Sequence, residues 1–353
     1  MTKAVMSETA ERGTSGRGNG AKKVTIRQVA AKAGVSRATA SRVINGGDLV
    51  SEKSRVAVER AISELGFVPH PVARNLARGR TGSVGLVIPE PNTRVLVDPF
   101  FAEAVVGLSS FMENLDLQVV LLVARPGRRM DRIGDYLLGG HVDGAVVASH
   151  HRGDTINQRL VASDLPCVFV GRPLGVLHAN YVDMDNVGGA QAATEHLVSQ
   201  GHQRIATIAG PSDTPSGIDR LSGWRMAVQN AHLSTDPVAY GDFSRDGGAE
   251  AMAVLLDADP SIDAVFAASD LMAAGAMQTI AARGLRVPDD IAVMGFDDFA
   301  VAEQTSPPLS TVSQPVRSMA ARAGSMLHEL MQGGEPSART VLFAAQLKLR
   351  ESA

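Results

Sequence analysis

At 353 residues with 44% apolar side chains, the chain is long enough for two or three folding units with sizeable cores. A single cysteine, Cys167, excludes a disulfide framework, and no run of about 18 apolar residues is present to cross a membrane. The net charge of −3 hides an asymmetry: residues 22–80 hold twelve Lys/Arg against four Asp/Glu, so with +1 on residues 1–21 the rest of the chain carries −12.

Residues 1–22 are rich in Gly, Ser, Thr and charge and lack an apolar h-region, so they read as a disordered tail rather than a signal peptide. One thiol and no export signal point to a reducing cytoplasm. Residues 23–68 read as three short helices. Thr25 and Gln28 have capping-box spacing, Ile26, Val29, Ala30 and Ala33 share a face, and Gly34 ends the first helix. Ser36 caps a second helix running to about Ile44. A third starts at Ser51 and is expected to bury Val56, Ala57, Ile62 and Leu65.

Two helices joined by a short glycine turn form a helix-turn-helix pattern, in which the second helix enters the DNA major groove. Here that helix offers Arg37, Ala38, Ser41, Arg42 and Asn45 to base edges. Arg37 has the fork to read guanine, and Ala38 can meet a thymine methyl. Ser36, Thr39 and the helix amino ends, beginning at Thr25, suit phosphates. An amphipathic three-helix bundle that docks protein remains open on this segment alone.

From Ser83 short apolar runs alternate with helical stretches. Strands are expected at 83–89, 118–124, 144–149, 167–171, 204–210, 264–269 and 291–296, with helices at 100–115, 187–200, 219–231, 246–257, 271–283 and 316–332. Such alternation implies parallel sheets covered on both faces, and the length implies two lobes. Ligands in such folds sit beyond the carboxyl ends of strands. The residues expected there are Asp98, Phe100, Phe101, Arg172, Arg220, Ser269, Asp270, Asp297 and Asp298. Aromatic faces, arginine forks and carboxylates together suit a polyhydroxylated sugar. For each of these, helix capping or core packing is the competing structural role.

No nucleophile elbow, P-loop, post-strand GxGxxG or HExxH is present, so no enzyme, cofactor or metal site is expected. Adjacent His150 and His151 point apart and read as surface histidines. Cys167 lies in the apolar CVFV run and reads as a buried, inert thiol; Trp224 reads as core.

The run from Val24 to Thr81, with AGVSRATASRVING as its most specific part, resembles the DNA-binding and hinge region of the LacI/GalR family of bacterial repressors. The likeness continues through DPFFAEAVVGL, YVDMDNVGGA, DRLSGW, GDFS, DAVFAASD and GFDDFAVAEQ to Ser352. It implies an all-α helix-turn-helix head, a hinge at residues 69–80, and an α/β two-lobed, periplasmic-binding-protein-like (type I) sensor over residues 81–353. It implies a hinge that turns helical on operator DNA, with Arg74 at the DNA and Leu76 wedged in the minor groove. His70 and Pro71 depart from the usual hinge. The resemblance places sugar contacts at Phe100, Phe101, Arg220, Phe243, Asp297 and Gln314; Ser269 and Gly171 depart from residues common in the family. Within it, VGRPLGV, IATIAGP and GIDRLSGW are similar to actinobacterial cellobiose- and β-glucoside-responsive repressors. The implied partners are double-stranded operator DNA, a small sugar and a second copy of the chain, with no membrane. A transport component without DNA binding, and a regulator whose ligand acts as corepressor, are the alternatives.

Overall fold

A computed structural model describes residues 24–44, 50–67, 80–125 and 127–353; the expectations for the tail, Asn45, Arg74, Leu76 and most of the hinge lie outside these. The chain divides into two compact units, 1–79 and 80–353.

In the first unit, helices α1 (Ile26–Ala33), α2 (Arg37–Ile44) and α3 (Glu52–Leu65) pack around Val29, Ala30, Ala40, Val58 and Ala61. At the start of α1 the Gln28 side chain reaches back, its Oε1 accepting the Thr25 amide at 2.8 Å and the hydroxyl at 3.0 Å. Gly34 ends α1 at φ +67°, the left-handed conformation that glycine takes without a Cβ penalty. One expectation fails in α3: Val56 is 54% exposed, and Val58 and Ala61 face the core instead. The helical period accounts for the difference: Val58, Ala61, Ile62 and Leu65 recur at i, i+3, i+4 and i+7 on one face, whereas Val56 lies on the opposite side of the helix from Leu65. Ser51 Oγ accepts the Ser54 amide at 3.3 Å. Ser51→Ala is expected to cost about 1 kcal/mol of head stability, read as a lower urea midpoint of unfolding.

The second unit is built on two parallel sheets. In the first, strands β1 (Ser83–Ile88), β2 (Gln118–Val123), β3 (Gly144–Ala148), β4 (Cys167–Val170), β5 (Tyr181–Met184) and β11 (Thr340–Phe343) run in the order β11-β5-β4-β3-β1-β2. In the second, β6 (Ile205–Ala209), β7 (Val238–Tyr240), β8 (Ala264–Ala267) and β9 (Ala292–Met294) run in the order β7-β6-β8-β9. β10 (Thr311–Ser313) pairs antiparallel with β12 (Gln346–Lys348) beside the second sheet. The interior strands β1, β3, β4, β6 and β8 are buried almost throughout, as both-face coverage requires.

The described chain crosses between the lobes at Asp185, at 314–315 and at 344–345. After the first crossing, helix Asn186–Ser199 packs on helix Pro215–Asn230 in the second lobe; after the next, helix Val316–Met331 returns to pack on helix Pro99–Glu113 in the first. The last two helices touch closely at Gly107, where a Cβ would collide with the Arg317 backbone. Trp224 is fully buried in this core. No helix among the described residues is long and apolar enough to cross a membrane.

Candidate ligand pocket and nucleic-acid face

The carboxyl ends of both sheets face one cleft holding about 740 Å³ of space, counting the part open to solvent. Of the residues expected to meet a ligand, Asp98, Phe100, Phe101, Arg220, Phe243, Ser269, Asp297 and Gln314 line it. Phe100 and Phe101 start a helix capped by Asp98, whose carboxylate accepts the Phe100 amide at 3.0 Å. Their rings meet edge to face at 5.2 Å, with Phe101 fully buried and Phe100 half-buried toward the cavity. Ser269 Oγ caps its helix by accepting the Met272 amide at 3.2 Å, so the capping role and the pocket position coexist.

Arg220 organises the floor. Its Nε donates to Asn186 Oδ1 at 2.9 Å, Nη1 to the Ala268 carbonyl at 2.7 Å and to Asp297 Oδ1 at 2.9 Å, and Nη2 to Gln314 Oε1 at 2.9 Å. The guanidinium lies 3.7 Å over the Phe296 ring, and the residue is 3% exposed. Arg220 therefore ties together Asn186 and Gln314, which flank two different lobe crossings. Burial pushes the Asp297 carboxyl up to about 7, opposed by the Arg220 charge. Asp297 sits at φ +118°, a strained backbone held by Gln314 donating its amide to the Asp297 carbonyl at 3.0 Å. Burial also raises Asp98 and Asp183, both on the cavity wall.

Arg172 does not line the cavity. Its Nη2 donates to both carboxylate oxygens of Asp219 at 2.8 Å, and the side chain lies on the rim. It leaves β4 two residues past the strand, beyond the point where the chain turns away at Gly171, φ +89°. Asp270 lies beneath the site, accepting the Phe299 amide at 2.9 Å and the Thr311 hydroxyl, while Asp298 pairs with Arg350 at 2.7 Å. His150 corrects the surface reading: it is buried, lines the cavity, meets the Val170 carbonyl at 3.0 Å, and burial lowers it to about 4. Cys167 is buried as expected, and burial raises its thiol to about 11. Among the described residues no cluster of His, Cys, Asp or Glu is arranged to hold a metal.

The pocket also contains residues that strand ends alone did not mark: Arg94, Ser149, Asp183, Asn186, Thr214 and Ser216. Arg94 lies over the Phe101 and Phe243 rings at 5.7 and 5.1 Å and donates to Glu90 at 2.7 Å. Its signal was the polar run PEPNTR directly after β1.

On the head, Arg37, Ala38 and Arg42 are exposed along one side of α2, and Thr39 and Ser41 are partly so. Ser36 Oγ accepts the Thr39 amide at 3.0 Å and contacts the Thr39 hydroxyl at 2.9 Å. α2 thus begins with a formed cap and presents its first turn outward, with Thr25 exposed at the start of α1.

Residues 25–70 match the family described as bacterial regulatory proteins, lacI family, and residues 194–353 match the periplasmic binding protein-like domain. The chain is 46% identical over 332 residues to the HTH-type transcriptional regulator CelR of Thermobifida fusca, covering 93% of this chain and 98% of that protein. It is 32% identical to the HTH-type transcriptional repressor CytR of Escherichia coli K12, covering 93% and 96%. A solved transcriptional regulator CelR–cellobiose complex is 44% identical with a TM-score of 0.75, covering 94% of this chain and all of that one. A lac repressor dimer bound to operator and the anti-inducer ONPF is 29% identical with a TM-score of 0.84, covering 94% and 99%.

Proposed function

We propose that this chain, which belongs to the lacI family of bacterial regulatory proteins, represses carbohydrate-utilisation genes and leaves its operator when cellobiose or a related β-glucoside fills the cleft. The observation that carries the reading is the Arg220 hub, a buried guanidinium that holds Asp297 together with Asn186 and Gln314, the last two beside joints between the lobes. A sugar hydroxyl bound to this cluster has leverage on lobe closure. Phe100 and Phe243 supply apolar faces for pyranose rings, and Asp98, Asp183 and Ser216 supply hydrogen-bond partners for hydroxyls.

Release runs through helix Val316–Met331. It begins two residues after Gln314, and its Met331 carbonyl accepts Arg80 Nη2 at 3.0 Å where the hinge at 69–80 joins the sensor. Movement of this helix on closure would withdraw the support under the hinge, and the coupling has to come from unequal sugar affinity for the two states. The protein acts as a homodimer on a two-fold operator, at the nucleoid in the cytoplasm. Asn45, Arg74 and Leu76 complete the DNA contacts of the head and hinge.

Isothermal titration against a panel of mono- and disaccharides tests the effector. Cellobiose is expected to bind most tightly; a panel in which it does not bind reassigns the sugar. On the DNA side, Arg37→Ala is expected to weaken operator binding by about 1–3 kcal/mol, roughly 5–150-fold, with sugar affinity unchanged. Filter binding on operator and on random duplex decides its role, since an equal loss on both would make Arg37 a phosphate contact.

A further inference from the structure

The cleft is bridged on its rim by two charged contacts, neither of which lines the pocket itself. From the first lobe, His151 leaves β3 with both ring nitrogens engaged: Nε2 lies 2.8 Å from Glu90 Oε1, and Nδ1 lies 2.9 Å from Asp213 Oδ2 of the second lobe. The Arg152 amide adds a bond to the Asp213 carbonyl at 2.7 Å. Six residues further on, both carboxylate oxygens of Asp219 accept Arg172 Nη2 from the first lobe. Asp213 and Asp219 bracket the first turn of helix Pro215–Asn230, and Arg220 is the next residue. The two lobe-one cations therefore grip the helix that carries the pocket arginine.

Two carboxylates face the two nitrogens of one imidazole, and only the doubly protonated ring can donate to both. Glu90 is 2% exposed, and it is also held by Ser149 Oγ at 2.6 Å and Arg94 Nη1 at 2.7 Å. Asp154 accepts the His151 amide at 2.8 Å from the same loop, and neutral, buried His150 lies alongside. The charged groups facing the ring are thus Glu90, Asp154 and Asp213 on the acidic side and Arg94 on the basic side.

We propose that His151–Asp213 and Arg172–Asp219 form a two-point latch that holds the sensor closed and seats Arg220 for the sugar, with the His151 arm proton-dependent and the Arg172 arm not. His151 and Arg172 are positioning residues, acting on the ligand through the helix they grip. The hydrogen bond to Glu90, with Asp213 adding to it, lifts the His151 ring to about 9. Because this lies above the ordinary value of 6.5, the stabilisation is complete below about pH 6.5 and is lost as pH rises through about 9.

The inference rests on the proposal that the cleft closes on a sugar, so it is tested in two independent ways on the full chain. Cellobiose affinity is titrated at about pH 7 and about pH 10 for wild type, Asp213→Asn and Arg172→Gln. At the lower pH each variant is expected to bind about fivefold more weakly, the size of a partly exposed ion pair. At the higher pH the Asp213→Asn deficit vanishes while that of Arg172→Gln stays. Asp297, raised by burial alike in all three proteins, cancels from the ratios. An Asp213→Asn deficit that is absent, or unchanged between the two pH values, overturns the latch. The second readout needs no sugar: the melting gap between wild type and Asp213→Asn is expected to close as pH rises past about 9, and to be absent throughout in a His151→Gln background. A pH-independent gap overturns the latch, whereas failure of cellobiose to bind wild type with the gap intact overturns only the choice of sugar.

Discussion

Arg220→Ala is expected to abolish the response to sugar and to destabilise the sensor by about 3–5 kcal/mol, while the head still binds operator. The magnitude follows from what the truncation strands. Asp297 would keep a buried carboxyl without its cation, and Asn186 Oδ1, the Ala268 carbonyl and Gln314 Oε1 would each lose a donor. A companion substitution separates the two effects. Asp297→Asn in the Arg220→Ala background removes the stranded carboxyl and is expected to recover part of the melting temperature, but none of the sugar response. A normally inducible Arg220→Ala protein would remove this residue from the effector site.

The two adjacent phenylalanines of DPFF are expected to fail in opposite ways. Phe101 is fully buried among Ile88, Ala104 and Leu108 in the core of the first lobe, so Phe101→Ala should cost about 3–5 kcal/mol through lost transfer energy and the cavity left behind. Phe100 is half-buried and turned to the cleft, so Phe100→Ala should leave the urea midpoint close to wild type and weaken sugar binding instead. Calorimetric melting and sugar titration on both variants check this, and a large stability loss in Phe100→Ala with unchanged affinity would reverse the assignment.

Much of this architecture was legible in the chain because parallel strands buried on both faces write themselves as apolar runs. The expected strands at 83–89, 118–124, 144–149 and 264–269 each end within two residues of the observed ones. β7, β10, β11 and β12 escaped because they are three or four residues long and mostly polar or only partly buried, and β5, though buried over Val182–Met184, because Asp183 interrupts its short apolar run. Their pairing is fixed by partners far away in the chain, as with β11 against β5. The rule that ligands gather beyond strand ends found Phe100, Ser269 and Asp297, but it also selected Arg172. Residue type and strand position do not say which way a long side chain turns, and an aspartate on the facing lobe took the arginine to the rim. His150 was misread for the converse reason. Its neutral ring is accommodated by the Val170 carbonyl and the Phe169 ring, neither of which is close to it in sequence.

The head shows the same division. Its caps are local, so Ser36, Ser51, Gly34 and the Thr25–Gln28 pair behave as their spacing suggests. In α3 the period from Val58 through Ala61, Ile62 and Leu65 marks the buried face, and Val56, which lies off that period, is exposed where a core position was expected.

Sugar-driven release is tested by an electrophoretic mobility shift with the full chain and an operator fragment selected from random duplexes, titrated with cellobiose. A specific complex is expected at low protein concentration, dissociating as cellobiose is added and resisting cellobiose when Arg220→Ala replaces the wild type. A complex that cellobiose tightens, or leaves untouched while titration shows the sugar bound, would rule out release of the operator by this sugar.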